Sequence, residues 1–503
     1  MATTSTRFLV LGLDGGTFDL LDPLMDAGHL PFLRSLAQDG LRATLTSVFP
    51  PKTIPAWFSF ATGRDPGGLG IFGFTEPDGG PGRSRLVQTF RPSEAIWDHL
   101  SRQGVRVGVL NFPLRTGYPL NGFVVPGMLS ETPATYPTNL RARLEEHLGE
   151  PYASELPPYR DSEREAWLRQ ATRGVAQRGR AADFLCAEYR PDFLFVLFRE
   201  TDRVQHQHWA ELARPPDQIS RDLLDFWRAV DPSCRLIDKA FRRSGGPGVT
   251  LVISDHGHGH ARADFFTNRW LAEQRFLKFR NGGAQSVRRR ALSRFLLASE
   301  RVGPTRRLVR AVADWLRGGG SREWVGRLVT EESSFEAMAP KIDWDRTLAF
   351  SYPVPEGIYL NRYNPNLTPA AAAAVKKEIR ERLEAYPDAH VEVFDPKEIY
   401  RGQNLANAPA LLLRVDGMAT ELRMDFSYPK PMLRQRPGFF YGTGVHRMDG
   451  ILLARGERVP KGSLDSALSL LDIAPTVLQG MGFPVPPTMD GRSFTSRLLA
   501  AEN

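Results

Sequence analysis

Thr250–His260, TLVISDHGHGH, is the stretch on which the reading of this chain turns. Four β-favouring residues run into Ser254-Asp255-His256-Gly257, where the pattern stops on a glycine. That is a buried strand delivering a carboxylate and an imidazole side by side at its carboxyl end, where open α/β sheets place their ligand sites. Asp and His together suit zinc or another borderline divalent ion. The plainer alternative is an Asp-His pair in a turn that Gly257 closes. The rest of the chain decides between them.

Working outward, other strand ends carry residues of the same kind. Phe8–Leu13 is an apolar run ending in Asp14-Gly15-Gly16, as expected of a central parallel strand buried on both faces. Gly12, Gly15 and Gly16 do not make G-x-G-x-x-G, which removes a dinucleotide fingerprint. Asp192–Phe198 is a third such run and leads into Arg199-Glu200-Thr201-Asp202-Arg203-Val204-Gln205-His206. With Thr201 as N-cap, Asp202 and His206 stand four apart on one helical face, able to share an ion. Without a metal they are an ordinary surface pair. His208 falls off that face and reads as structural.

Pro50-Pro51-Lys52-Thr53-Ile54-Pro55 puts Thr53 on a rigid turn at the start of a helix that runs to Thr62-Gly63. Backbone N–H groups and the helix dipole favour an anion there. Threonine is also a common N-cap, and its hydroxyl is a poor nucleophile unless a base or metal activates it. A helix at Pro31–Gln38 and strands at Arg42–Val48, Val105–Asn111 and Phe123–Val125 fill out the first half. Residues 130–190 read as a mostly helical decoration. A second α/β portion has strands at Thr347–Ser351, Gly357–Leu360, His390–Phe394 and Ala410–Val415, with a helix at Pro369–Ala385. Near the end, Gly442–Arg447 brings His446 up to a strand at Gly450–Ala454, and Asp472 caps a final helix.

With 503 residues, 42% hydrophobic and 24% charged, the chain reads as a soluble globular protein. Its two cysteines make neither a disulfide framework nor a zinc ribbon and fit a reducing compartment. The N-terminal apolar run is too short for a signal-peptide core, and no apolar stretch approaches the roughly 20 residues of a spanning helix. A cytoplasmic protein is expected, with peripheral membrane contact left open. The net charge of +8 is unevenly spread: Arg269–Arg327 holds fifteen Lys or Arg against four Asp or Glu. Leu292, Phe295, Leu296, Leu308, Val312, Trp315 and Leu316 recur among them, as in a basic amphipathic helical insertion. A solvated arginine face is its ordinary meaning; weak contact with an anionic membrane surface is the sharper one. Nothing predicts specific nucleic-acid binding.

Five motifs in order resemble the alkaline phosphatase superfamily: LGLDGGTFD (11–19), PPKTIPAWFSFATGRDPGGLGIFGF (50–74), FRETDRVQHQHW (198–209), ISDHGHG (253–259) and GTGVHRMDGILLARG (442–456). The tail LDIAPTVLQGMGFPVPPTMDGRSF (471–494) looks like the family's C-terminal signature. Within the superfamily the chain is most similar to the type I phosphodiesterase/nucleotide pyrophosphatase branch, in its group of predicted phosphohydrolases and phosphomutases.

The resemblance implies an α/β protein with a three-layer α/β/α core, a mostly parallel sheet, a helical basic insertion and a smaller α/β lid. Residues 1–266 and 430–503 would form the catalytic core, 267–341 the insertion and 342–429 the lid. It implies two divalent ions, with zinc first and manganese or another ion as alternatives. Asp14, Thr53, Asp255 and His256 would hold one, and Asp202, His206 and His446 the other. Thr53 would be the nucleophile, its hydroxyl activated by an ion. Sulfatases of the superfamily need Cys or Ser at that position and Arg four residues on; Thr53 and Trp57 stand here instead. Nucleotide pyrophosphatases often place an Asn after this helix; Leu69–Phe74 has none, which leaves Lys52, Arg64 or Arg447 as candidate phosphate contacts. His258 and His260 receive no role and read as supporting or surface residues. The function expected is hydrolysis of small-molecule or lipid-linked phosphate mono- or diesters. The alternatives are a phosphotransferase or phosphomutase, or a membrane-surface or scaffold protein with a vestigial site.

Overall fold

In the computed structural model, which describes residues 6–87, 94–129, 134–280, 334–426, 430–433, 442–464 and 466–500, Phe8–Leu13 lies between two parallel neighbours, Phe193–Phe198 and Val249–Ile253. All six of its residues are buried. Its two faces feed different cores, Leu9, Leu11 and Leu13 one of them, Phe8 and Val10 the other. A strand covered on both sides needs no polar alternation, so its sequence is a continuous apolar run.

The sheet runs in the order Gly462–Ser463, Leu41–Thr46, Asp449–Arg455, Val249–Ile253, Phe8–Leu13, Phe193–Phe198, Val107–Pro113, Gly122–Gly127. Only Asp449–Arg455 runs against its neighbours along this path. Phe18–Asp26, Pro31–Asp39, Arg164–Tyr189 and Arg221–Gly245 cover one face. Thr53–Thr62, Ile96–Arg102 and Ile473–Gly480 cover the other. The result is the expected three-layer α/β/α arrangement around a mostly parallel sheet.

One expectation is corrected. Arg164–Tyr189 is no decoration: it packs along Arg221–Gly245 and buries Trp167, Leu168, Ala171, Val175, Ala182 and Leu185 in the main core. Much of its buried stripe is alanine and glycine, which permit close helix packing but give little hydrophobic signal. Thr201 is a second correction. Arg199 holds the N-cap position of the helix Glu200–Leu212 without a side-chain hydrogen bond, while the Thr201 hydroxyl donates to the carbonyls of Asp14 (2.7 Å) and Phe198 (2.8 Å). It ties two strand ends together instead of capping a helix.

A third apolar core joins residues from 263–277 with others from 335–432. Its sheet orders Ala349–Phe350, Gly357–Leu360, Leu411–Val415 and Val391–Phe394, all antiparallel. The helix Pro369–Glu384 packs there through Val375, Ile379 and Leu383. Phe49 and Phe72 enter this core from the first part of the chain, and Lys52 pairs with Glu356 at 2.7 Å. This unit therefore meets the central fold where the Thr53 helix begins. Residues 281–333, which hold most of the predicted basic insertion, lie outside the described residues. Among the described residues no helix is long and apolar enough to cross a membrane.

Candidate metal centre

Three adjacent parallel strands end at one edge of the sheet, and each hands on a carboxylate. Asp14 follows Phe8–Leu13, Asp255 and His256 follow Val249–Ile253, and Asp202 opens the helix after Phe193–Phe198. His446 arrives from the far end of the chain on the strand Gly444–Arg447, which pairs antiparallel with Gly257–His260. All but His206 are buried, and His206 is half-buried.

Two clusters result. Asp14, Asp255 and His256 form one; His256 Nε2 lies 3.2 Å from Asp255 Oδ2 and 3.7 Å from Asp14 Oδ1. In the other, Asp202 Oδ1 lies 3.3 Å from His206 Nε2 and 3.2 Å from His446 Nε2. An ion with bonds of about 2.0–2.2 Å spaces its ligand atoms roughly 3–4 Å apart, so both clusters fit one. His256 faces both, its ring stacked on His446 with centroids 3.7 Å apart.

Hydrogen bonds to the other atoms of these side chains fix which atom faces inward. Trp57 Nε1–H donates to Asp14 Oδ2 (3.0 Å) and Gly15 N–H to Asp255 Oδ1 (3.1 Å). The second oxygens, Asp14 Oδ1 and Asp255 Oδ2, have no hydrogen-bond partner, and neither has His256 Nε2. The Nδ1–H groups of His206, His256 and His446 donate to the carbonyls of Gly444 (3.1 Å), Gly257 (3.1 Å) and Pro51 (2.6 Å). Each ring therefore presents the lone pair of Nε2. Ligating imidazoles are commonly held this way, and buried polar atoms left unpaired call for a ligand. A donor set of carboxylate oxygens and imidazole nitrogens suits zinc or a similar divalent ion.

The electrostatics ask for positive charge. Burial, reinforced by neighbouring carboxylates, pushes the Asp14 and Asp255 carboxyls well above their usual range. Burial would raise Asp202 too, but the His206 and His446 imidazoles outweigh it and hold it well below. Burial keeps His256 and His446 in the neutral form that binds a metal. Buried carboxylates this close are costly unless a cation compensates them.

Thr53 is the first residue of the helix Thr53–Thr62; Lys52 is the N-cap, and no side chain caps the helix by hydrogen bonding. Its hydroxyl is thus not spent as a cap. Pro51, two residues before it, accepts from His446, and Trp57, one turn after it, donates to Asp14. The helix start is pinned to both clusters. The helix ends on Gly63 in the left-handed conformation (φ 63°), which places Arg64 roughly 15 Å along the axis from Thr53. There Arg64 binds the Gly68 carbonyl and faces Glu94. Arg447 gives its guanidinium to the carbonyls of Met418, His446 and His260. Of the three candidate phosphate contacts, Lys52 alone lines a pocket with His446. Glu356 holds its ammonium, whose pKa is raised despite burial.

His258 is the residue that the sequence reading passed over. It is fully buried in the second cluster, its Nδ1 3.7 Å from Asp202 Oδ1, with both ring nitrogens unpaired. The register pairs it with His446 across the two strands, whereas His260 pairs with Gly444 and is exposed. The spacing His256-Gly257-His258 was the available signal, since alternate residues of an extended chain share a face. It extended equally to His260, and only strand pairing separates the two. His208 packs edge-on to Tyr159, outside both clusters.

The fold has clear relatives among solved structures. Wild-type alkaline phosphatase PafA matches with a TM-score of 0.56 at 15% identity, covering 99% of this chain and 100% of that one. Phosphonoacetate hydrolase from Sinorhizobium meliloti 1021, in complex with phosphonoformate, matches with a TM-score of 0.51 at 15% identity, covering 95% and 96%. No curated protein matches the sequence. With the family match, this fold defines a phosphoric ester hydrolase of alkaline-phosphatase-like architecture whose buried Asp/His centre could hold metal. More particularly, the chain belongs to the type I phosphodiesterase/nucleotide pyrophosphatase family, whose model matches residues 8–418. His446 lies beyond the matched stretch and joins the site through the strand pairing described above.

Proposed function

We propose that the protein hydrolyses phosphate mono- or diesters with Thr53 as nucleophile and two divalent ions as cofactors. Asp14, Thr53, Asp255 and His256 would hold one ion; Asp202, His206 and His446 the other. When bound, the ions supply positive charge for the transferring phosphoryl group and lower the pKa of a coordinated hydroxyl. Zinc is the ion that the donor set suits first, manganese the next to test.

The observation that carries this reading is the position of Thr53: first in its helix, relieved of capping by Lys52, and flanked by residues bonded to both clusters. The Thr53 oxygen attacks phosphorus, the bond to the departing ester oxygen breaks, and the hydroxyl proton ends on that oxygen. A water molecule then cleaves the phosphothreonine and restores Thr53. Free N–H groups at the helix start would meet the phosphoryl oxygens, and Lys52, the residue before Thr53, would contact one of them. Acid quench during turnover of an aryl phosphate ester, followed by peptide mapping, tests this. Phosphate on Thr53 supports the covalent route; its absence together with near-native turnover in Thr53→Ala rejects it.

In the same proposal, residues 1–266 and 430–503 act as the catalytic core of a cytoplasmic enzyme, with 342–429 as a lid. The contact of Lys52 with Glu356 across that boundary supports this division. The basic stretch Arg269–Arg327 would add a weak, salt-dependent contact with anionic lipid, of about 1 kcal/mol per basic residue near the surface. Sedimentation with anionic vesicles at low salt tests that contact, and no binding there returns the stretch to a solvated face.

A further inference from the structure

The geometry points to His258 as a fourth protein ligand of the ion held by Asp202, His206 and His446. The inference rests on the two-ion reading and extends it to a residue which that reading leaves idle. His258 is fully buried, and neither ring nitrogen has a hydrogen-bond partner. A histidine that served packing alone would be expected to satisfy at least one of them. Nδ1 stands 3.7 Å from Asp202 Oδ1, within the spacing of atoms that share one ion. One ligand atom from each of Asp202, His256, His258 and His446 falls within 4.8 Å of all the others. The ring lies edge-on to His206, with centroids 4.6 Å apart, and tilted beside Trp209, with centroids 5.7 Å apart.

The backbone makes room for this nitrogen. Gly15 has a φ of 69°, and a Cβ there would stand 2.9 Å from His258 Nδ1. On the other side, a Cβ at Gly444 would stand 2.9 Å from His258 Nε2. Glycine at both places lets the imidazole fill the gap between the Asp14 turn and the His446 strand. An ion with Asp202, His206, His446 and His258 around it must exceed four-coordination to take a substrate oxygen. This second site would therefore hold its ion tightly before substrate arrives.

Two measurements test the assignment. Zinc is titrated against a competing chelator into the full-length protein and its His258→Gln variant. A loss of affinity for one ion larger than the roughly 10- to 100-fold that loss of a ligand's outer partner costs, with the other ion unchanged, is expected. Equal affinities for both ions overturn the proposal. A crystal structure of the zinc-loaded wild-type protein decides the matter even if the variant fails to fold. A His258 nitrogen at about 2.0–2.1 Å from an ion supports the proposal, and a ring left outside bonding distance refutes it. Wild-type protein that binds fewer than two zinc ions would instead refute the two-ion reading, whatever His258 does.

Discussion

The Nε2 atoms of His206 and His446 lie 2.8 Å apart, and each ring has already given its Nδ1–H to a backbone carbonyl. Two lone pairs at that distance repel unless a proton or a cation lies between them. Burial would lower the pKa of His206, but the Asp202 charge outweighs it and the pKa is raised. His446 is lowered by burial. The two shifts favour His206 over His446 as the ring that takes up a proton in that gap.

Binding a divalent ion should expel that proton. Calorimetric titration with zinc at neutral pH, in buffers of different ionisation enthalpy, should report release of at least one proton per protein. Affinity should rise with pH in step. A binding enthalpy independent of the buffer would contradict this account of the pair.

On the two-ion proposal, His446→Ala should weaken the binding of one ion and spare the other. Asp14, Asp255 and His256 keep their own hydrogen bonds, so metal analysis should find the other ion retained. Loss of both ions, or undiminished affinity for both, would mean that the clusters do not act as separate sites.

Thr53→Ala should lower turnover by several orders of magnitude, as removal of a nucleophile does in other hydrolases. Metal content should change little, because Asp and His supply the remaining donors. A melting temperature close to wild type, read beside the activity, separates lost chemistry from lost fold.

Glu200, two residues before Asp202, is held by a buried ion pair. Arg178 is fully buried, bonded to Glu200 and, at 2.7 Å, to the Tyr152 hydroxyl. Arg178→Met leaves Glu200 as an uncompensated buried charge and should cost about 3–5 kcal/mol. Pairing it with Glu200→Leu should recover most of that loss in denaturant unfolding. A single variant as stable as wild type would show that the pair does not anchor this helix.

Asp65 sets a pH dependence of its own. Burial raises its pKa to about 6, against the pull of N–H bonds from Gly67 (2.8 Å) and Arg401 (2.9 Å). A carboxyl raised in the folded state favours folding below its unfolded pKa of 3.8, and that contribution is lost as pH rises through about 6. Asp65→Asn keeps an oxygen for both N–H groups without taking on charge. The variant should melt higher than wild type at pH 7.5 and level with it near pH 4. A variant that melts lower at pH 7.5 would mean that the ionised carboxylate is the stabilising form.

Much of this protein was legible in its sequence. Apolar runs such as Phe8–Leu13 and Phe193–Phe198 announce parallel strands, because both their faces must be covered. Residues just past those runs, such as Asp14, Asp202 and Asp255, sit at the strand ends by covalent connection alone. The spacing of Asp202 and His206 needed only a helix to bring the two together. What the sequence could not decide was pairing between distant segments. His258 and His260 look alike in ISDHGHGH until Gly444–Arg447 is laid beside them, burying the first against His446 and leaving the second exposed. Lys52, Arg64 and Arg447 were likewise equal as cations. Helix length carried Arg64 away, backbone carbonyls claimed Arg447, and Glu356 from the other apolar core fixed Lys52 beside His446. Local periodicity places a side chain on a face of its own element. Which atoms oppose it there depends on contacts between segments far apart in the chain, and those are settled only when the whole core packs.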